Sequence, residues 1–161
     1  FFRVISFIIF FICSLSDFLD GYIARKYKFQ TNFGRYLDPI ADKILILSGF
    51  ITLNIFYGDY VETWMILLIF LRDFIITGLR MIVLKNGQVM LTSNFSKVKT
   101  LFQIIVIHII LFIHCIDPVL ISTLDIFSMN FIFSLMIICV IYTILSGIHY
   151  IIINLKYILN D

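Results

Sequence analysis

Residues 17–43 read DFLDGYIARKYKFQTNFGRYLDPIADK and hold four aspartates, two arginines and three lysines, in a chain that is 61% hydrophobic and only 14% charged. Asp17, Asp20, Gly21, Ala24 and Arg25 recur at spacings of three and four, which places them on one face of a helix. Gly34, Asp38 and Asp42 follow at strict spacings of four, again one face. Two helices joined by a short loop are antiparallel neighbours, so the four carboxylates can converge. Near hydrocarbon each unpaired acid is costly, and a positive species must sit among them. Hard oxygen donors with little His or Cys nearby suit Mg²⁺ or Mn²⁺, as a pair of ions. Gly21, Ala24 and Gly34 remove bulk beside the acids, enough to admit a flat or phosphate-bearing group. Small residues also serve close helix packing, and charge runs at helix ends are commonly solvated. Four acids at such regular spacing favour the metal site.

The elements that must position these acids are legible as apolar runs cut by polar or Gly/Pro punctuation: 1–27, 33–57, 60–85, 94–116 and 126–157. Each approaches or exceeds the ~20 residues that span a bilayer. The mean hydropathy of +1.08 places the chain in the membrane class. Nothing alternates with period two, so the expected fold is all-α, a polytopic helical bundle, with residues 1–161 forming one domain. The connecting loops KYKFQTN, YGDYVE, KNGQVMLTSNFSKVK and IDPVLISTLD, followed by the tail after Lys156, alternate basic, acidic, basic, acidic, basic. By the positive-inside rule the basic loops, and the aspartate cluster with them, face the cytoplasm. The opening FFRVISFIIFFICSL reads as a mature helix rather than a signal peptide, with one helix expected upstream of it: five spans here, six in all.

The spacing Asp17-x2-Asp20-Gly21-x2-Ala24-Arg25-x8-Gly34-x3-Asp38-x3-Asp42 resembles the complete signature of the CDP-alcohol phosphatidyltransferase family, with every fixed position present. The resemblance implies a six-helix integral membrane enzyme, usually a homodimer, that displaces CMP from a CDP-linked lipid or alcohol with the hydroxyl of a second alcohol. It implies further that Asp17, Asp20, Asp38 and Asp42 hold two metal ions and that Asp42 is the base. Asp20, Gly21, Ala24, Arg25 and Gly34 would line the cytidine diphosphate site.

Arg72 and Arg80 in FLRDFIITGLRMI, and Lys97 and Lys99 in SNFSKVKT, are cations that an apolar chain does not carry without reason. Some of them can snorkel toward anionic headgroups, and Asp73 offers Arg72 a partner. Grouped, they suit an anion, and a phosphorylated acceptor follows. The stretches TNFGRYLDPIADK, RDFIITGLR and SKVKT also resemble the phosphatidylglycerophosphate synthase branch of that family, whose first transmembrane helix has no counterpart here. That branch implies CDP-diacylglycerol as donor, sn-glycerol 3-phosphate as acceptor, and a place in the cytoplasmic membrane. Other acceptors within the family (serine, inositol phosphate, phosphatidylglycerol) and, from a different class, a divalent-cation transporter are the alternatives. The transporter is disfavoured because acids are scarce in the later helices and the four aspartates lie near one membrane face.

Cys13, Cys115 and Cys139 are widely spaced in apolar surroundings, which predicts buried small hydrophobes rather than a disulfide or metal site. His108, His114 and His149 read as packing or interface histidines. The net charge of +2, with no basic, aromatic-interleaved patch, argues against nucleic acid as a partner.

Overall fold

The computed structural model describes residues 2–27, 32–85, 94–120 and 125–159. Among them are five α-helices and no strand: α1 Phe2–Tyr27, α2 Asn32–Phe56, α3 Thr63–Lys85, α4 Asn94–Leu120 and α5 Asp125–Leu159. Runs this apolar leave their backbone polar groups without solvent partners, and a helix satisfies those groups internally. Hydroxyls inside the runs do the same locally. Ser48 donates to the Leu45 carbonyl at 2.8 Å and Thr52 to that of Ser48 at 2.8 Å.

Helix neighbours define a ring in the order α1, α2, α3, α5, α4, with α2 and α4 also touching across it. The core runs through this ring, from Phe50 and Leu53 of α2 and Met65 of α3 to Val106, Ile107 and Ile110 of α4 and Ile132 and Met136 of α5. Gly49 lets three helices close up. A Cβ there would lie 2.8 Å from Phe10 of α1 and 2.9 Å from Ile107 of α4. A smaller cluster of Ile76, Val83 and Tyr150 seals α3 against α5.

The bundle is apolar on its outside as well. Ile44, Ile55, Phe74, Leu145 and Ile152 each expose more than half of their surface. Asp73, Lys99, Gln103, Thr143, Ser146 and Asn154 are buried. Among the described residues, Met129–Leu155 within α5 is the one helix long and apolar enough to cross a membrane. Arg3–Ser16 and Val98–Ile113 are shorter apolar stretches.

Two boundaries differ from those expected from sequence. Helix α3 begins at Thr63 because residues 57–62 form a tight reversal. In it Val61 N donates to the Tyr57 carbonyl at 2.7 Å, and the Asn54 amide caps the Val61 carbonyl at 2.6 Å. Helix α4 runs past residue 116 to Leu120, carrying Pro118 in its last turn, where only one backbone bond is lost to the missing N–H. The cysteines also depart from expectation. Cys139 is buried, but Cys13 is exposed in an open crevice between α1 and α2, and Cys115 is only partly covered. His108 is a packing residue as expected. It is bonded through Nδ1 to the Ile104 carbonyl at 2.8 Å, lies 3.3 Å from Ser14 Oγ, and has Phe7, Phe10 and Phe11 around it. His149 lies against Phe95 with the rings tilted by 55°, 5.1 Å between ring centres.

Candidate active site

The two helices expected to carry the aspartates are present and in contact. Asp17, Asp20, Gly21, Ala24 and Arg25 lie on α1, and Gly34, Asp38 and Asp42 on α2. Asp20 is exposed and Asp42 partly buried. The side chains of Asp17, Gly21, Ala24, Arg25, Gly34, Asp38 and Lys97 lie outside the described residues. Among the described side chains no three acids, histidines or cysteines gather as a metal cage, and half of the four-aspartate set is not among them.

A second polar centre lies beside the first. Asp73 of α3 accepts from Arg72 Nη1 at 3.0 Å, and both of its carboxylate oxygens lie within hydrogen-bond reach of Lys99 Nζ from α4. Arg72 continues to α5, where Nη2 donates to Ser146 Oγ at 3.1 Å. Its stem lies on Gly147, where an added Cβ would stand 2.9 Å from both Cγ and Nε. Ser146 donates in turn to the Thr143 carbonyl at 2.9 Å, and Gln103 donates to Thr143 Oγ1 at 3.2 Å. Among the described residues, Arg72 Nε and Gln103 Oε1 are buried and lack a hydrogen-bond partner. Buried polar groups are normally satisfied, so these two set the centre apart from the rest of the core.

Two turns along α3, Arg80 is exposed. Its Nε donates to the Tyr150 hydroxyl at 3.3 Å and its guanidinium carbon stands 5.6 Å from that ring's centre. Lys43 connects the two centres. It follows Asp42 in the chain, is partly buried, and lines the α2–α3 crevice together with Asp73, Ile46 and Phe70. The charges acting on it are Asp73, Asp42, Arg80 and Arg72. Asp42 and Lys43 of α2 are thereby set within electrostatic reach of Asp73, Arg72 and Arg80 of α3.

Of the four cations expected to group, Arg72 and Lys99 share Asp73, Arg80 is seated apart on Tyr150, and the Lys97 side chain lies outside the described residues; Lys43, Gln103, Thr143, Ser146, Gly147 and Tyr150 were not expected. The signal for the last four existed. Thr143, Ser146, Gly147, Tyr150 and Asn154 are polar or small residues at spacings of three and four inside an otherwise apolar helix.

A family model described as CDP-alcohol phosphatidyltransferase matches residues 2–155. A Bacillus subtilis protein named CDP-diacylglycerol–glycerol-3-phosphate 3-phosphatidyltransferase is 42% identical over 104 residues, 65% of this chain and 53% of its own length. Proteins of the same name from Rickettsia typhi and Mycoplasma pneumoniae are 38% identical over 109 residues and 35% identical over 100 residues. They are covered over 60% and 43% of their lengths and match 68% and 62% of this chain. The chain thus spans about half the length of the curated relatives it matches. With the aspartate spacing complete on two touching helices and the family match running almost from end to end, the chain belongs to the CDP-alcohol phosphatidyltransferase family.

Proposed function

We propose that this chain moves the phosphatidyl group of CDP-diacylglycerol to sn-glycerol 3-phosphate, giving phosphatidylglycerophosphate and CMP. The observation that carries the proposal is that the Asp42–Lys43 segment of α2, the end of the aspartate motif, lies within electrostatic reach of Asp73, Arg72 and Arg80 of α3. The names of the relatives agree with it.

The donor set is all carboxylate, on two helices in contact, and that chemistry fits Mg²⁺ or Mn²⁺. Asp17, Asp20, Asp38 and Asp42 would hold the ions, which when bound neutralise the charge developing on departing CMP. Asp42 accepts the proton of the acceptor's hydroxyl as its oxygen attacks the lipid-bearing phosphorus and the bond to CMP breaks. Asp20, Gly21, Ala24, Arg25 and Gly34 line the cytidine diphosphate site, the small residues giving room and Arg25 meeting phosphate. Arg72, Arg80, Lys97 and Lys99 supply the positive field that draws the acceptor's phosphate. No Ser, Cys or His stands at nucleophile spacing within the motif, so direct transfer is the scheme.

The apolar exterior and charged interior support a bundle that crosses the cytoplasmic membrane five times, with the motif at the cytoplasmic face. The lipid donor then reaches the site from the bilayer and the acceptor from the cytoplasm. A homodimer is the assembly that the family resemblance suggests.

The test is transfer of label from glycerol 3-phosphate to lipid by the full-length protein in lipid–detergent micelles with CDP-diacylglycerol and Mg²⁺ or Mn²⁺. Labelled lipid with stoichiometric CMP, lost in Asp42→Asn, is expected. CMP released only when serine, inositol phosphate or phosphatidylglycerol is supplied would overturn the acceptor assignment.

A further inference from the structure

The cations of α3 and α4 are not equivalent. Lys99 and Asp73 are both buried, at 3% and 8% exposure. They belong to α4 and α3, which are not neighbours in the helix ring, so the pair reaches across the interior of the bundle. Asp73 also fixes Arg72, whose other end is held by Ser146 and whose stem fills the space above Gly147. Arg80 differs on every count. It is exposed and is seated on Tyr150 of α5 by a hydrogen bond and by its position over the ring.

Burial decides which of these can meet a soluble anion. For Lys99 to bind phosphate it would have to leave a carboxylate bare in the interior, and an interior acid stripped of its cation is strongly disfavoured. Arg80 can present the edge of its guanidinium outward while the tyrosine sets its plane, the geometry in which arginine grips phosphate with two parallel bonds.

We propose that Asp73 is the positioning residue of the acceptor site: with Lys99 as its dedicated counter-ion it holds Arg72 against α5, and Arg80, seated on Tyr150, is the cation that meets the acceptor's phosphate. This division of roles rests on the phosphatidyl-transfer reading above.

The experiment compares full-length wild type with Asp73→Asn, Asp73→Glu, Lys99→Gln, the double variant Asp73→Asn/Lys99→Gln, and Arg80→Gln, measuring kcat and KM for each substrate. Asp73→Asn releases two cations that still attract phosphate but hold it out of line. Its kcat is expected to fall by about tenfold or more while KM for glycerol 3-phosphate holds or drops, a pattern that general misfolding does not give. Asp73→Glu keeps the charge and is expected to recover part of that kcat. Lys99→Gln leaves a bare acid near the phosphate and raises the acceptor KM. The double variant removes both charges and returns that KM to within about threefold of wild type. Arg80→Gln raises the acceptor KM by about tenfold or more with KM for CDP-diacylglycerol unchanged. A double variant whose acceptor KM stays as high as that of Lys99→Gln would make Lys99 a direct phosphate ligand and overturn the proposal. Unchanged acceptor KM in Arg80→Gln would overturn it too. Wild type that transfers no label from glycerol 3-phosphate would instead bring down the functional reading, a result distinct from either of these.

Discussion

Gly147 on α5 and Arg72 on α3 are in such close contact that the arginine stem occupies the volume a side chain at position 147 would need. An added Cβ would stand 2.9 Å from Arg72 Cγ and Nε, closer than carbon atoms approach without displacement. Gly147→Ala is therefore expected to push Arg72 off Ser146 and to destabilise the bundle by about 1–3 kcal/mol, the usual penalty of overpacking. Gly78→Ala on α3 is the control. Nothing lies within 4 Å of its would-be Cβ, and a helical glycine replaced without clash gains up to about 1 kcal/mol. Thermal unfolding of the two variants in the same detergent should move in opposite directions. Equal losses would show that the contact at 147 does not constrain Arg72.

The Asp73–Lys99 pair should be strongly coupled in stability. Losing either partner alone leaves a buried charge and costs about 3–5 kcal/mol, whereas losing both together should cost markedly less. Denaturation of the single and double variants gives the coupling directly. Additive losses would mean that the two groups do not compensate each other.

Tyr150→Phe removes the hydroxyl that accepts from Arg80 Nε but keeps the ring beneath the guanidinium. A single long hydrogen bond at a half-exposed site is worth about 0.5–1.5 kcal/mol, so the acceptor KM should rise by a few-fold. Tyr150→Ala, which takes the ring as well and opens a hole between Ile76 and Val83, should cost more in both KM and stability. Steady-state kinetics with varied glycerol 3-phosphate separates the two, and a phenylalanine variant worse than the alanine variant would contradict the seating.

Removal of divalent ions by a chelator should stop lipid labelling, with Mg²⁺ or Mn²⁺ restoring it. If Asp42 is the proton acceptor proposed above, Asp42→Asn should remain inactive at any metal concentration, a loss of about 10²–10⁴-fold. Helix content by circular dichroism should be unchanged in Asp42→Asn, since Asp42 is only partly buried on the face of α2. Recovery of the variant by excess metal would reduce Asp42 to a ligand.

Most of the helix layout was legible in the sequence because an apolar run bounded by polar punctuation has few other ways to satisfy its backbone. The aspartate motif was legible because period-four spacing needs no knowledge of the partner helix. The pairing of Asp73 with Lys99 was not. They are 26 residues apart, and a sequence shows that cations and an acid exist without showing which acid neutralises which cation. The face of Thr143, Ser146, Gly147, Tyr150 and Asn154 was written at helical spacing in α5, yet its purpose appears only when Arg72 and Arg80 of α3 are laid against it. The reversal at residues 57–62 hid its boundary because Asn54, inside the preceding helix, supplies the cap.

Arg72 and Asp73 are adjacent in the chain as well as bonded to each other. Helix α3 thus carries the first counter-charge to Asp73 within itself, matched by chain adjacency alone. Lys99 reaches the same acid from α4, 26 residues away in the chain. One of the two cations that neutralise Asp73 is therefore supplied locally and the other only by tertiary packing, so loosening α4 from the bundle would leave Asp73 still paired.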